Sequence, residues 1–553
     1  MRVAGRPGQP GEPSGAHGGP AESGFHAIAD RLARFPDREL WHYRGRDIER
    51  RTFRQVFDDV LATCAALEAA GVRAGTHVGI LGGNSYAWIV TDLALTRLRA
   101  VSVALSVEGS RASTTGELRA AYHLGLLLMA QAEYDRRTPA EPWAAPLGDL
   151  GGATVAPPAA GAPAAGGDAF TLVFSSGSSG SPKCIMMSAR GTVAAMEEYA
   201  VQLRTGLGDA IFVVLPLTAF PQRLMVYLAV WCGFDIRLAD IPRLHDALRR
   251  MEPTIVVGPP AFFEAVESRY RARPEGARRH ADRLRRLTAL IPLPALRRRV
   301  RRHLFADLHA LFGGRARLLL TGSAPARRST LRLLDELGFP IHEFYGMTEV
   351  SVVSWNLPGR TRHGSVGRPL LPGTVTLAPD GEVLTRFDPP RSLGYYGDGA
   401  HDADTYRPDG WVGTGDLGRF EDGYLYLTGR KKSVIITRSG YKLQPEPAER
   451  ALAEHPDVAH AVLLGGEHAH VVTAVVSLRE SAGGATRGEL DRIVADVNRS
   501  LPEPARIARL FCTAEEFTAA RGLLTRTMKP DRAAIARHFE DQLFAMTQET
   551  GEA

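Results

Sequence analysis

HVGILGGNSYAWIVTDLALTRLRAVSVAL, residues 77–105, decides the fold class. HVGIL (77–81) reads as a short buried strand, Asn84–Ser85 as a helix cap, 86–98 as a helix with apolar residues at helical spacing, and AVSVAL (100–105) as the next strand. Strand, helix, strand in this order is a βαβ unit, which predicts a parallel sheet covered by helices. Upstream, TFRQVFDDVLATCAALEAA (52–70) predicts another helix, stopped at Gly71. Downstream, FTLVF (170–174), IFVVL (211–215), TIVVG (254–258), RLLLT (317–321) and PIHEF (340–344) are short β-rich runs, most of them separated by helical sequence. No internal repeat is present.

Composition bounds what this fold can serve. The chain has 553 residues, 44% hydrophobic and 23% charged, enough for a large core. Its 67 basic and 61 acidic residues leave +6, too small an excess for nucleic acid but comfortable for anionic small ligands. Cys64, Cys184, Cys232 and Cys512 are too far apart in sequence for a zinc cluster or a disulfide framework. The longest apolar runs, Ile211 to Leu217 and Leu224 to Trp231, fall well short of the ~20 residues that span a bilayer. The first 23 residues are Gly- and Pro-rich without an apolar core, and read as a disordered lead rather than a signal peptide. These features predict a cytoplasmic protein with no integral membrane association. Residues 137–168, rich in Ala, Pro and Gly, predict a surface excursion or linker. The arginine-crowded stretch 266–312, with its Arg297–Arg299 run, reads first as a solvated helix face and second as an anion-attracting rim.

From about 364 the texture changes to short strands and turns, ending in DGYLYLTGR (422–430); residues 431–540 then mix strands with a helix at 486–499. The expected fold class is therefore α/β: a large N-terminal domain (24–430) of parallel-rich sheets covered by helices, with a β-subdomain, followed by a small α+β C-terminal domain (431–553). Length alone would suggest three or four comparable units; the composition shift near Arg430 argues for this unequal division instead.

The strongest local feature is FTLVFSSGSSGSPKCIMMS (170–188). A strand runs into Ser175, Ser176, Gly177, Ser178, Ser179 and Gly180, then Pro182 and Lys183. Glycines let backbone amides approach an anion, hydroxyls add donors and lysine supplies a point charge, so polyphosphate is the natural ligand. The spacing differs from that of a Walker A loop. Cys184, next to the loop lysine, has no evident partner base and reads as a packing residue.

This loop resembles the phosphate-binding signature of the adenylate-forming superfamily of acyl-CoA synthetases, adenylation domains and luciferases, and further segments resemble that family in order. LLLTGSAPA (318–326), with Gly322, Ser323 and Ala324, is similar to the strand and turn lying against adenine. Glu343, Phe344, Tyr345, Gly346, Met347, Thr348 and Glu349 match its YGxTE region; the resemblance implies Tyr345 on the adenine ring, Thr348 near the phosphates and Glu349 on Mg²⁺. GWVGTGDLG (410–418) and TGRKK (428–432) imply Asp416 and Arg430 at the ribose. GLLTRTMK (522–529) resembles the C-terminal motif of the fatty-acyl branch and implies Lys529 as a mobile catalytic lysine. The same resemblance implies a mobile C-terminal domain hinged at Lys432, with Gly440 on the face that admits a thiol.

The activity implied by the resemblance is that of an AMP-forming ligase. It would use ATP and Mg²⁺ to activate an organic acid as acyl-AMP, release pyrophosphate, and pass the acyl group to coenzyme A or the pantetheine of an acyl carrier protein, in bacterial secondary metabolism. Departures bear on the substrate. Where the long-chain branch has a histidine gate, LPLTAFPQR (215–223) has Ala219, followed by Phe220, and an acidic position is Gln222. Ala219, Phe220 and Met347 are the candidate pocket residues. The missing histidine keeps a second reading open, a diazotase-like enzyme that activates nitrite and passes it to an amine. A third is a degenerate, non-enzymatic nucleotide-binding protein, against which Lys183, Glu349, Asp416, Arg430 and Lys529 all argue.

Overall fold

The computed structural model describes residues 24–137, 141–157, 167–175, 183–397, 405–437, 439–465, 471–479, 486–518, 520–525 and 530–549. The expected lead, 1–23, lies outside the described residues. The βαβ unit forms as expected: His77–Leu81, helix Tyr86–Arg97 and Val101–Leu105, with the two strands paired in parallel from His77 opposite Val101 to Leu81 opposite Leu105. Ser85 is the helix cap, its side chain accepting from the Trp88 N–H. Asn84 does something else. Its Nδ2 donates to the Leu215 carbonyl at 3.0 Å and its Oδ1 accepts the Leu217 N–H at 2.9 Å, tying one sheet to the strand end of the other.

Two large sheets result. One has seven strands in the spatial order Ser392–Tyr395, Cys184–Ser188, Ala169–Phe174, Val101–Leu105, His77–Leu81, Leu126–Met129, Ala144–Pro146. The other has nine, and its six central strands, Glu39–Arg44, Asp235–Leu238, Ala210–Val213, Ile255–Gly258, Leu318–Thr321 and Ile341–Met347, run parallel. Helices cover both faces, so central strands such as Leu318–Thr321 are apolar and buried throughout rather than alternating. One core lies between the sheets, where Ile80 and Leu128 meet Ile211 and Leu320; another lies on the far face of the nine-stranded sheet around Phe212, Val256 and Leu319.

A polar knot crosses the first core. Asp92 (2% exposed) and Arg223 (1%) pair at 3.2 Å. Ser102 donates to Asp92 at 3.0 Å, Arg223 donates to the Thr171 hydroxyl at 2.6 Å, and the Tyr227 hydroxyl donates to Asp92 Oδ2.

The texture change near 364 is a four-stranded antiparallel sheet, Val375–Leu377, Glu382–Thr385, Val412–Glu421 and Tyr424–Arg430. Beyond it, Val458–Leu464, Thr473–Leu478 and Arg509–Thr513 form a three-stranded sheet whose own apolar core includes Leu452, Leu463, Val476 and Leu490, an α+β C-terminal domain. The helix expected at 486–499 is Thr486–Arg499. This domain touches the large one at a defined place. The Glu454 carboxylate accepts the Arg328 and Ser329 N–H groups at 2.6 and 3.0 Å, capping helix Arg328–Glu336, whose own N-cap residue makes no side-chain cap. Arg479 pairs with Glu264 at 2.8 Å, and Glu264 also pairs with Arg327.

One stretch differs from expectation. Within 137–168, Ala144–Pro146 is an edge strand parallel to Leu126–Met129, and Trp143 before it is buried. Small residues give no hydrophobic period, so Ala- and Pro-rich sequence conceals a short strand anchored by one tryptophan. Residues 138–140 and 158–166 of that stretch lie outside the described residues.

Candidate active site

Chemistry-bearing residues come together from the two large sheets and the β-subdomain. Ala169–Phe174 and Cys184–Ser188 are antiparallel partners, Phe174 opposite Cys184, and form the neck of the Gly/Ser loop. Ser175 donates its N–H to the Lys183 carbonyl at 2.9 Å and accepts the Lys183 N–H on its hydroxyl at 3.1 Å. Both ends of the loop are thereby pinned. Ser176, Gly177, Ser178, Ser179 and Gly180 lie outside the described residues, as does Lys529. Cys184 behaves as a packing residue: burial pushes its thiol up to about 12, far from a reactive thiolate.

The neck leads to Glu349 through a residue that the sequence did not flag. Strand Ser392–Tyr395 pairs with Cys184–Ser188, which sets the Tyr395 ring 4.5 Å from Lys183 Nζ. The Tyr395 hydroxyl donates to Glu349 Oε1 at 2.9 Å, and Ser392 donates to the Glu349 carbonyl at 2.5 Å. Glu349 is buried, and burial raises its carboxyl pKa against the opposing pull of the Tyr395 hydrogen bond and of Lys183 and Arg430.

Tyr345 lies in strand Ile341–Met347, whose pairing with Ser351–Trp355 shifts register after Tyr345. A Cβ on Gly346 would sit 2.1 Å from the Ser351 carbonyl oxygen, so the turn toward Glu349 closes only with glycine there. The Tyr345 hydroxyl donates to Asp416 Oδ2 at 2.7 Å, and Arg430 Nε donates to Asp416 Oδ1 at 2.6 Å. Asp416 and Arg430 are directly opposite on antiparallel strands, so register alone brings them together. Burial and the Asp416 charge push the Tyr345 hydroxyl well up. Burial alone would lower Arg430, but the Asp416 charge prevails and its pKa rises.

Gly322 ends strand Leu318–Thr321 under Phe344: a Cβ there would meet the Phe344 ring at 2.8 Å. Ser323 follows at φ 66° and exposed, with Ala324 half-buried, so the turn presents backbone rather than bulk. Glu343 stands opposite Thr321 in parallel register, and Glu343 Oε2 and Thr321 Oγ1 are both buried with no partner among the described residues. Burial pushes the Glu343 carboxyl up to about 8, leaving it a neutral acid at pH 7. Thr348 is half-buried beside Glu349.

The pocket candidates are not brought into one cluster. Phe220 is buried in the core between the sheets, 6.2 Å from Phe170 ring to ring, whereas Met347 packs against the β-subdomain core. Ala219 precedes helix Phe220–Cys232 without a side-chain cap. Lys432 is exposed in the turn Lys431–Ser433 directly after Arg430. Gly440 has φ +80° and no atom within 4 Å of where a Cβ would stand, an open position.

A loop neck carrying Lys183, a buried carboxylate behind it and an Asp–Arg–Tyr group on the β-subdomain thus come from three sheets of one α/β fold. The chain belongs to the AMP-binding enzyme family: the family's model matches residues 28–383, and that of the AMP-binding enzyme C-terminal domain matches residues 432–550. It is similar to the long-chain-fatty-acid–CoA ligase FadD15 of Mycobacterium bovis, 27% identical over 90% of this chain and 92% of the relative. It is also similar to the long-chain-fatty-acid–CoA ligase ACSBG2 of Xenopus laevis, 25% identical over 69% of this chain and 60% of the relative. Among solved structures it shares the fold of o-succinylbenzoate CoA synthetase from Bacillus subtilis, in complex with its acyl-adenylate intermediate (TM-score 0.69, 20% identity, 93% of this chain and 98% of that chain). The amide bond synthetase McbA from Marinactinospora thermotolerans shares it equally (TM-score 0.70, 20% identity, 93% and 99%). The protein is thus an adenylate-forming enzyme of the ligase class.

Proposed function

We propose that this enzyme activates an organic acid as its acyl-adenylate at the expense of ATP and passes the acyl group to a thiol, coenzyme A or carrier-protein pantetheine, in the cytoplasm. The convergence of Lys183, Tyr395, Glu349, Asp416 and Arg430 on one end of the fold carries this reading. In it, the loop 175–183 holds the β- and γ-phosphates and Lys183 offsets charge on the departing pyrophosphate. Asp416 accepts from the ribose hydroxyls with Arg430 beside it, Tyr345 and the bare turn Gly322–Ala324 bracket adenine, and Thr348 lies near the phosphates. Lys529 approaches the attacking carboxylate and the α-phosphate oxygens, where negative charge crowds the transition state.

The donor set fits Mg²⁺. Among the described residues no group of three or more His, Cys, Asp or Glu side chains could hold a metal, but this ion commonly takes one carboxylate and fills its shell with phosphate oxygens and water. Glu349 would hold it, and bound there it would neutralise phosphate charge. The division at 430/431 belongs to the same reading: a large domain at 24–430 and a small domain at 431–553 that turns about Lys432 to bring Gly440 toward the thiol. Among the described residues no helix is long and apolar enough to cross a membrane.

The nitrite reading has one observation on its side: at the position of the gate histidine, Ala219 offers no side-chain donor, and Phe220 is packed into the core. One experiment separates the two. Purified protein with ATP and Mg²⁺ is given either fatty and aryl acids plus coenzyme A, or nitrite plus an arylamine, with pyrophosphate release and product mass recorded. Thioester supports the first reading and diazo product the second; absence of pyrophosphate in every arm defeats both. Lys529→Ala should lower adenylate formation by roughly 10²-fold or more, while leaving ATP affinity within a few-fold. Unchanged turnover would remove the lysine from the chemistry.

A further inference from the structure

The arginine-rich stretch has no part in the site just described, and the fold gives it a definite shape. Helix Glu275–Ala289 and helix Pro294–Leu304 form a hairpin joined by residues 290–293. The first helix turns Ala281, Leu284, Arg285 and Thr288 toward the protein and leaves Arg279, Arg283, Arg286 and Leu287 outside, a division at helical spacing. At the bend, Leu287, Leu290, Leu293 and Leu296 are 52%, 78%, 62% and 49% exposed. With Leu304 they make five of the twelve exposed large hydrophobics among the described residues, gathered into one 18-residue stretch. Isolated surface leucines need no account; a cluster at the exposed bend between two helices does.

Charge surrounds these leucines. Residues 275–304 contain ten arginines against Glu275 and Asp282, a net +8 in a chain whose total is +6, so everything outside the hairpin is net negative. Part of this charge is structural. Arg301 is buried on Thr288, and Arg285 pairs with Asp282 and Glu336. Arg278, Arg283, Arg286, Arg298 and Arg299 are exposed and have no carboxylate partner among the described residues. A face made only for solvent would carry both signs and no cluster of leucines.

We propose that the hairpin 275–304 docks the enzyme on an anionic lipid surface, with Leu287, Leu290, Leu293 and Leu296 entering the headgroup–acyl boundary and Arg283, Arg286, Arg298 and Arg299 meeting lipid phosphates. Charge complementarity selects the occupant: exposed leucines ringed by unpaired arginines match an interface that is apolar below and anionic above. An acidic carrier protein would share the charge but must deliver its thiol to the active site. The hairpin is anchored at the other end of helix Arg328–Glu336, through Arg285 to Glu336 and Arg301 to the Asp335 carbonyl. The exposed leucines, not the charge, favour a membrane over a docking carrier, whose acidic surface offers no acyl layer for them to enter. The docking is independent of which acid the enzyme activates.

Flotation of the full-length protein with phosphatidylcholine vesicles, with and without phosphatidylglycerol, tests this. The protein should float with the phosphatidylglycerol vesicles and stay down with phosphatidylcholine alone, and high salt should weaken its binding. Arg283→Ser/Arg286→Ser/Arg298→Ser/Arg299→Ser and, separately, Leu290→Asp/Leu293→Asp should each lower partitioning about tenfold or more. Circular dichroism and ATP-dependent pyrophosphate release, both unchanged, would show that the variants fold. Equal partitioning onto both vesicle types overturns the proposal. So does wild-type binding by the leucine variant, which would mean attraction to any polyanion, and so does capture by an acidic carrier protein in the absence of vesicle binding.

Discussion

Two aspartate–arginine pairs of this protein use the same chemistry for different ends. Asp92 and Arg223 lie in the core between the sheets, all but sealed, with Ser102, Thr171 and Tyr227 supplied by the protein itself. Asp416 and Arg430 face each other across an antiparallel ladder, with Arg430 still 39% exposed and Tyr345 the third member. The two motifs even share a tyrosine donating to the aspartate. What distinguishes them is access: the first pair is closed to solvent, while the second is open to solvent on its arginine side.

The comparison breaks first at Arg223. Arg223→Ala strands a buried carboxylate and should cost about 3–5 kcal/mol in urea or thermal unfolding, with activity per folded molecule retained. A cost near zero would mean that the knot is solvated. Glu343 sharpens the contrast as a buried carboxyl with no ion-paired guanidinium among the described residues. Its folded pKa of about 8 exceeds the ordinary 4.5, so the native state holds a proton that unfolding releases between those values, and stability falls as pH rises through that window. Glu343→Gln should remove a slope approaching about 1.4 kcal/mol per pH unit, so that the variant gains on wild type from pH 5 to 8 in thermal melts. Parallel curves would refute the shift. Next, Asp416→Asn should raise the KM for ATP about tenfold, roughly 1.4 kcal/mol of binding, while changing stability by less than about 1 kcal/mol because the pair is partly solvated. A large stability loss with unchanged KM would make it a second structural pair. Smallest is Tyr345→Phe, which deletes one hydrogen bond to Asp416 and should cost about 1 kcal/mol in stability or ATP affinity. A change beyond twofold in turnover at saturating ATP would give the hydroxyl a role beyond positioning.

The fold was legible where period and punctuation agree. HVGIL, the capped helix after it and VSVAL emerged within a residue or two, because a doubly covered parallel sheet writes its strands as short apolar runs. The Ser/Gly loop neck was legible from its composition, the segments around Tyr345, Asp416 and Arg430 through their resemblance to the family's motifs, and Cys184 as a packing residue from its lack of a partner base. Tyr395 could not. Its position between Lys183 and Glu349 comes from pairing two strands about 200 residues apart, and a tyrosine in a short strand has no spacing that separates it from core. Asp92 was equally silent, a polar residue within YAWIVTDLALTR whose partners Ser102, Arg223 and Tyr227 are set by packing of the sheets. Glu343 was named for its motif, but the buried Oε2 left without a partner among the described residues is a property of three-dimensional burial alone.

The Glu454 cap has a thermodynamic corollary. It fastens the C-terminal domain to the first turn of helix Arg328–Glu336, and that helix begins four residues after Ala324. If a ligand sits on the Gly322–Ala324 turn as proposed, its binding and the docking of the domain would act on one short piece of backbone. If a ligand on the turn shifts the docking equilibrium by some factor, docking must shift the affinity for that ligand by the same factor. If the turn holds a nucleotide as proposed, the Glu454 carboxylate would be one contact through which the two domains share that information.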